Sequence, residues 1–586
     1  MASPNPNAQL RSPVGAALAR CRPHLVTATV FSALSNLLYL APSLFMLQVY
    51  DRVLPSRGLA TLAALGVITL AALAALGAFE WLRSRVLVRA SVQLERELAE
   101  PVLRSAIGRP EFSRLDRSEA IRQVETLRQG IASPAMVAAM DAPWTPIYIV
   151  VASLLHPALG VTITLACIVL LILAWTNEKA TAEPMKRAAE ASSVAHARQA
   201  HASANAAEVR ALGMVSALTR RQIDERGVSN ALQLAASFSG NVHGSTIKFL
   251  RLALQSGALA LGAVLVVRDA ISPGSMIAAS LLMTRALAPV EQIVGAWKTI
   301  IQGRTAIAKL NGLLAGGGPV EHTRLPAPRG VIRAEHVGVL APGSDRPILT
   351  DIDFETAAAE VIGIVGASGA GKSTLLRVLS GATLPAHGHV RFDGASRADW
   401  DAEVLARHTG YLPQNFVLFP GTVKENIARF ATGPGTDAGE VDAAVIAAAR
   451  AIDAHDMIVG LPQGYDTLVG TGGTGLSGGQ MQRIAIARAL YGDPSIYFLD
   501  EPTAHLDADA QHAFVRLLAQ LRRRGATVLI ATHSADLLAA TDRLLVLDKG
   551  RVARFGPIAA APAQEARPPA NFSLSPVTFT SWNARS

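Results

Sequence analysis

The residues best suited to chemistry in this sequence are glycines set around a lysine. Gly366, Ala367, Ser368, Gly369, Ala370, Gly371, Lys372 and Ser373 follow the pattern GxxxxGK[ST], with the apolar stretch Val361 to Val365 in front and a helix-forming run from Thr374 behind. Glycines let backbone amides close around phosphate oxygens, the Lys372 ammonium reaches toward β and γ phosphates, and the Ser373 hydroxyl can ligate magnesium. A strand before and a helix after are the context such a phosphate loop needs. Further along, Ile496-Tyr-Phe-Leu-Asp500-Glu501 is an apolar strand ending in two carboxylates. Asp500 suits a magnesium shell, and Glu501 suits a water that must be oriented or deprotonated. An isolated strand of this kind ends as readily in a solvated acidic turn. Its position downstream of a phosphate loop favours the catalytic reading.

Between the two lies Leu476-Ser477-Gly478-Gly479-Gln480, at the head of a helix-forming run from Met481. A hydroxyl and successive amides at a helix N-terminus make an anion site. With this pentapeptide the sequence resembles the ABC ATPases. Gln414 in Tyr411-Leu-Pro-Gln then matches their Q-loop, Asp507 in Ala504-His-Leu-Asp their D-loop, and His533 in Ala531-Thr-His their switch histidine. The resemblance implies ATP and Mg2+ as cofactors, with nucleotide held by the loop from Gly366 to Thr374 and by Ser477, Gly478, Gly479, Gln480 and Asp507. It implies metal contacts from Ser373, Gln414 and Asp500, and catalytic roles for Glu501, His533 and Gln414. It also implies a head-to-tail homodimer in which the signature pentapeptide meets the γ-phosphate held by the partner's Lys372.

Three positions depart from the family pattern. No Phe, Tyr or Trp occurs from Val337 to Leu349, where an aromatic residue stacks on adenine. No acidic residue occurs from Gly470 to Gly475, where many exporters carry one, and His505 replaces a small polar D-loop residue.

These motifs need an α/β scaffold. From Val331 onward short β-branched runs alternate with helical stretches, as in Glu360 to Val365, Ile496 to Leu499 and Thr527 to Ala531. We expect an ABC nucleotide-binding domain over residues 331–556, a Gly- and Pro-rich linker over 315–330, and a disordered tail over 557–586. Upstream the chain is apolar, and the runs Leu25 to Val49, Leu59 to Leu82, Val137 to Leu155, Ala158 to Trp175, Ile247 to Val267 and Ser275 to Val294 are long enough to cross ~30 Å of hydrocarbon as helices. The third is interrupted by Asp141, Pro143 and Pro146. The fold class expected is therefore a six-span α-helical exporter-type membrane domain, residues 25–314, followed by a P-loop ATPase domain. Residues 1–24 form a cytoplasmic N-terminal segment. The charged stretches Arg83 to Met136 and Thr176 to Gly244 read as cytoplasmic helical extensions, either solvated or packed.

The 586 residues carry a net charge of +9. Ten arginines fall between Arg83 and Arg128, against Arg52, Arg57 and Arg268 in the loops on the other side. Such asymmetry is a topology signal, and no aromatic-interleaved basic stretch points to nucleic acid. The two cysteines, Cys21 and Cys167, have no metal spacing, and the N-terminus lacks the pattern of a cleaved signal peptide.

The membrane sequence narrows the resemblance. Tyr39-Leu-Ala-Pro-Ser-Leu-Phe-Met-Leu-Gln-Val-Tyr-Asp-Arg-Val-Leu-Pro-Ser-Arg57, Asp141-Ala-Pro-Trp-Thr-Pro-Ile-Tyr148, Ser272-Pro-Gly-Ser-Met-Ile-Ala-Ala-Ser280 and Arg285-Ala-Leu-Ala-Pro-Val-Glu-Gln292 are similar to type I protein secretion ATPases. The 24 residues before the first span point to the subgroup without an N-terminal peptidase-like domain. That resemblance implies a homodimer in the bacterial inner membrane, its ATPase domain cytoplasmic, exporting an unfolded polypeptide with a C-terminal signal. A periplasmic membrane-fusion adaptor and an outer-membrane channel would be its partners. Asp141, Arg285 and Glu291 are the ionisable groups expected along the path, with Arg285 and Glu291 read alternatively as an intramembrane ion pair or as facing a cavity. A lipid or drug half-exporter would share every ATPase motif. A soluble ABC ATPase would need the six apolar runs to be soluble core.

Overall fold

The computed structural model describes residues 12–109, 114–315, 325–341, 344–431, 437–470, 473, 475–504 and 506–558. The start of the N-terminal segment, most of the expected linker, His505 and nearly all of the expected tail lie outside the described residues. The backbone divides into two compact units, Met1–Pro319 and Val320–Ser586.

In the first unit six helical segments are long and apolar enough to cross a membrane: Arg22–Ser56, Leu59–Gly108, Pro134–Leu155, Pro157–Ala200, Val242–Val267 and Pro273–Gly295. They agree in number and order with the expected spans. The helices Leu59–Gly108 and Val215–Val267 contain 50 and 53 residues. At about 1.5 Å per residue each is more than twice as long as the ~30 Å hydrocarbon layer, so the charged half projects beyond it. The projection of Leu59–Gly108 is packed: Ala90, Leu94, Leu98, Val102 and Ala106 recur every four residues and share a core with the helix Arg114–Ile131, the helix Trp297–Leu314 and the N-terminal helix Pro13–Arg20. The third span is broken where its prolines fall. Pro134–Asp141 passes through a 3-10 turn, Ala142–Trp144, into Thr145–Leu155, because Pro143 and Pro146 have no N–H for the α-helical ladder. Leu70, Leu171, Ile172 and Phe249 on the spans are exposed. Apolar residues face outward where the solvent is lipid.

The second unit holds two main sheets and a small two-stranded one, β7 Gly421–Thr422 against β8 Leu468–Val469. One main sheet is antiparallel, in the order β2-β1-β4-β5, with β1 Ile332–Leu340, β2 Pro347–Glu355, β4 His387–Phe392 and β5 Ala395–Ser396. The other has the order β12-β11-β3-β10-β9-β6, with β3 Val361–Gly366, β6 Thr409–Leu412, β9 Ile496–Asp500, β10 Thr527–Ala531, β11 Arg543–Asp548 and β12 Arg551–Pro557. Every residue of β9 and β10 is buried, as expected of parallel strands covered on both faces. Their side chains alternate between two cores. Phe498 and Leu529 join Leu375, Leu376 and the antiparallel sheet, whereas Tyr497, Val528 and Ile530 join Val445, Ile484, Phe514 and Leu517 from the helices on the other side.

Candidate functional site

Four neighbouring parallel strands deliver the site from their carboxyl ends. Gly366 closes β3 and leads into the helix Lys372–Ser380; Gln414 lies two residues beyond β6, Asp500 closes β9, and His533 lies two residues beyond β10. Asp500 and Ile364 both stand opposite Ala531 in register, and Leu412 stands opposite Leu499, so the four strands end within about three residues of one level. Open α/β sheets bind ligands at this edge.

The phosphate loop depends on its glycines. Gly369 and Gly371 have φ of 81° and 102°, in the left-handed region that side chains avoid. A Cβ on Gly371 would stand 2.6 Å from the Leu349 side chain, so this position, which caps the helix Lys372–Ser380, has no room for one. Ala367 and Ser368 are exposed in the loop, Ala370 is buried beneath it, and Ser373 and Thr374 occupy the first helical turn. Lys372 is buried, and its Nζ donates to the carbonyls of Gly366 at 2.8 Å and Ala367 at 3.3 Å. A cation beside free helix N-terminal amides is complementary to a polyphosphate.

Ser373 Oγ lies 3.5 Å from Gln414 Oε1, Gln414 Nε2 donates to Glu501 Oε2 at 3.0 Å, and His533 Nε2 stands 3.9 Å from Glu501 Oε1. Residues from four strand ends are thus linked through one carboxylate. Glu501 itself has φ of 48°, and its N–H donates to the Ala531 carbonyl at 2.9 Å. A left-handed glutamate costs on the order of 1–3 kcal/mol and persists where its surroundings fix it. Beside it Asp500 is 4% exposed. Burial pushes the Asp500 carboxyl up from its ordinary range, the hydrogen bond with Ser373 pulls it back, and the adjacent Glu501 charge raises it again. The Ser373 hydroxyl, the Gln414 carbonyl and the Asp500 carboxylate are hard oxygen donors of the kind Mg2+ takes.

The signature residues lie apart from this constellation. Ser477 caps the helix Gly478–Leu490 reciprocally: its hydroxyl accepts from Gln480 N at 3.3 Å, and Gln480 Oε1 accepts from Ser477 N at 2.9 Å. Ser477 and Gly478 are exposed, and among the described residues no hydrogen bond joins Ser477, Gly478, Gly479 or Gln480 to the phosphate loop. Asp507 caps the helix Ala508–Arg523 by accepting from Ala510 N at 2.9 Å, and it also accepts from Arg483 at 2.8 Å. Sequence reasoning did not single out Arg483, nor Gln482, whose buried amide donates to the Pro502 carbonyl at 2.5 Å. Both sit within three residues of Gln480, and that proximity was the available signal. In the stretch Val337 to Leu349, where the resemblance leads one to expect an aromatic residue, Leu340 at the end of β1 is 41% exposed.

In the membrane unit the three expected path residues have separate partners. Asp141 accepts from Arg83 at 3.0 and 3.3 Å, from Asn36 at 2.7 Å and from Ser32. The Arg83 and Asp141 side chains are 8% and 13% exposed. Tyr148 extends the network by donating to Asn36 Oδ1 at 2.8 Å. Arg285 and Glu291 do not pair with each other: the Arg285 guanidinium stacks 3.6 Å over the Tyr39 ring, whose hydroxyl donates to Glu80, and Glu291 pairs with Arg251 at 3.2 Å. Spacing along the sequence assigns Arg83 only to a charged flank and gives Glu80 and Arg251 no role.

Comparison with known proteins agrees with this architecture. The family described as "ABC transporter transmembrane region" matches residues 25–290, and "ABC transporter" matches residues 349–504. A shorter match over 475–540, to "AAA domain, putative AbiEii toxin, Type IV TA system", lies within the ATPase unit. The type I secretion system ATP-binding protein PrsD of Rhizobium meliloti (strain 1021) is 38% identical over 563 residues, covering 94% of each chain. The leukotoxin translocation ATP-binding protein LktB of Mannheimia haemolytica is 30% identical, covering 90% of this chain and 74% of that one. A solved bacterial Atm1-family ABC exporter with ATP bound superposes with a TM-score of 0.80 at 26% identity, covering 92% of this chain and 96% of that one. The chain belongs to the type I secretion ABC transporters, multi-pass membrane proteins whose cytoplasmic ATPase domain binds ATP and drives transport.

Proposed function

We propose that two copies of the chain form a homodimer in the bacterial inner membrane and use ATP and Mg2+ to export an unfolded polypeptide bearing a C-terminal signal. A periplasmic membrane-fusion adaptor and an outer-membrane channel complete the conduit. The observation that carries this reading is the likeness to PrsD over nearly the whole length of both chains; relatives named for leukotoxin and exotoxin translocation support polypeptide cargo. The exposed Ser477 supports the dimer, since a capped helix N-terminus offered to solvent suits a phosphate brought by a second copy.

In this reading Lys372 and the amides from Gly366 to Thr374 hold the phosphates, while Ser373, Gln414 and Asp500 hold Mg2+. Bound Mg2+ supplies charge neutralisation at the terminal phosphates. Glu501 takes the proton of the attacking water, Gln414 and His533 position its carboxylate, and Asp507 sets the D-loop. Arg285 and Glu291 border the cargo path, and Asp141 acts on it through Arg83. The test is secretion of a candidate cargo from cells expressing the transporter with an adaptor and a channel. Export should be lost when the last segment of the cargo or the adaptor is removed. Equal export without either would sink the protein-secretion reading in favour of a lipid or drug exporter.

A further inference from the structure

Two of the membrane stretches that mark this sequence, Tyr39 to Arg57 and Ser272 to Ser280, contribute nothing to the ATP site, yet they meet each other. The first span leaves α-helical register at Val49–Val53, a π turn, and ends at Arg57 with φ of 48°. A π turn re-aims side chains and is frequent at functional positions. Here it presents Asp51 to the start of the sixth span. Asp51 Oδ1 accepts from the Gly274 N–H at 2.9 Å, and Oδ2 accepts from the Ser272 hydroxyl at 2.5 Å. Ser272 caps the helix Pro273–Gly295, its oxygen accepting from Ser275 N at 3.1 Å. The carboxylate therefore takes an amide the cap leaves free and sits at the positive end of the helix. Gly274 is required: a Cβ there would stand 2.6 Å from Asp51 Oδ1 and 2.6 Å from the Leu47 carbonyl oxygen.

The helix Pro273–Gly295 leads through Trp297–Leu314 toward the ATPase domain, so its N-terminus lies on the opposite face of the membrane. We propose that Asp51 is a positioning residue for transport, a latch holding the outer ends of the first and sixth spans together that must open for the path to open on that face. Exposure separates it from a permanent staple. Arg83 and Asp141 are a buried pair whose separation would strand charge. Asp51 is exposed and its partners, the half-buried Ser272 and the buried Gly274, are uncharged, so parting them strands no buried charge. The latch rests on the export reading only for the direction of opening. ATP turnover, which needs no cargo, tests it separately.

The test replaces the hydrogen bond by a reducible one. Cys21 and Cys167 are buried, so a disulfide in the double variant Asp51→Cys/Ser272→Cys would form where the Ser272 hydroxyl now meets the carboxylate. Purified transporter in lipid should cross-link at rest. The oxidised form should lose at least about tenfold in ATP turnover and in export, and a reductant should restore both. Asp51→Asn keeps the side-chain shape but weakens both bonds; its basal turnover should rise roughly three- to tenfold, a ratio set by charge-assisted hydrogen bonds in water. Oxidised transporter as active as its reduced form would make the contact a permanent staple and overturn the proposal. Failure to cross-link at rest, or wild-type turnover in a normally stable Asp51→Asn, would overturn it as well. If cargo export is absent from the wild type while cross-linking still gates ATP turnover, the export reading fails and the latch stands.

Discussion

The ATP site and the membrane network both gather charged groups from distant parts of the chain, but they constrain those groups differently. Ser373 and Gln414 are 41 residues apart and Gln414 and Glu501 are 87 apart, yet Gln414 and Glu501 follow directly on parallel strands and Ser373 opens the helix that the phosphate loop joins to β3, so the sheet edge fixes where they converge. Asp141 meets Arg83, Asn36 and Ser32 from 58, 105 and 109 residues away through helices. Successive residues of a helix turn by about 100°, so a span known only by its length leaves open which face meets which neighbour. A sheet edge converts sequence position into spatial position far more directly than a helix does.

The largest effect should come from the centre of the first region. Glu501→Gln keeps the hydrogen-bonding shape of the group while removing the carboxylate that is proposed to take a proton. Steady-state hydrolysis should fall about 10²- to 10⁴-fold with ATP binding retained, because Lys372 and Ser373 are untouched. Measured turnover within tenfold of wild type would place the base elsewhere, and the convergence on Glu501 would be structural only.

The second region should fail through stability. Asp141→Ala leaves the Arg83 guanidinium buried without its carboxylate, and such losses cost about 3–5 kcal/mol. An apolar pair, Arg83→Met with Asp141→Leu, strands no charge and should recover most of that loss. The check is a double-mutant cycle on detergent-solubilised protein, read as thermal unfolding. Additive effects of the two single changes would show that the ions do not act as a pair, and Asp141 would return to the path as an independent group.

Legibility followed the same division. Lys372, Asp500, Glu501 and the signature were readable because local spacing encodes their geometry: the loop glycines must take left-handed φ, and an apolar strand must end where water begins. The span count was readable from apolar length. The partners were not. Glu80, Arg83 and Arg251 lie where a span's apolar run meets charge, and the sequence gives no helix rotation to tell solvated flanking charge from a group paired or hydrogen-bonded to another helix. The prolines of the third span signalled a break, but not that a 3-10 turn at Ala142–Trp144 would carry it beside Asp141. Arg483 was hidden for a related reason, since its acceptor Asp507 belongs to a different helix cap.

The smallest expected effect lies at the rim of the first region, where strand ends stop dictating contacts. From Val337 to Leu349 the chain has no aromatic side chain, and the exposed Leu340 closes β1. Stacking of a base on an aromatic ring contributes about 1–3 kcal/mol, roughly a factor of 5 to 150 in affinity. Without it the phosphate contacts of Lys372 and the loop amides should carry most of the binding, and those contacts are identical for every nucleoside triphosphate. ATP and GTP should therefore compete within a few-fold of each other, and inorganic tripolyphosphate should retain most of the affinity. Competition against a labelled nucleotide on the purified transporter measures all three. A preference for ATP over GTP beyond about thirtyfold, or a comparable loss with tripolyphosphate, would mean that some other group grips the base, extending the site past the strand ends that define it.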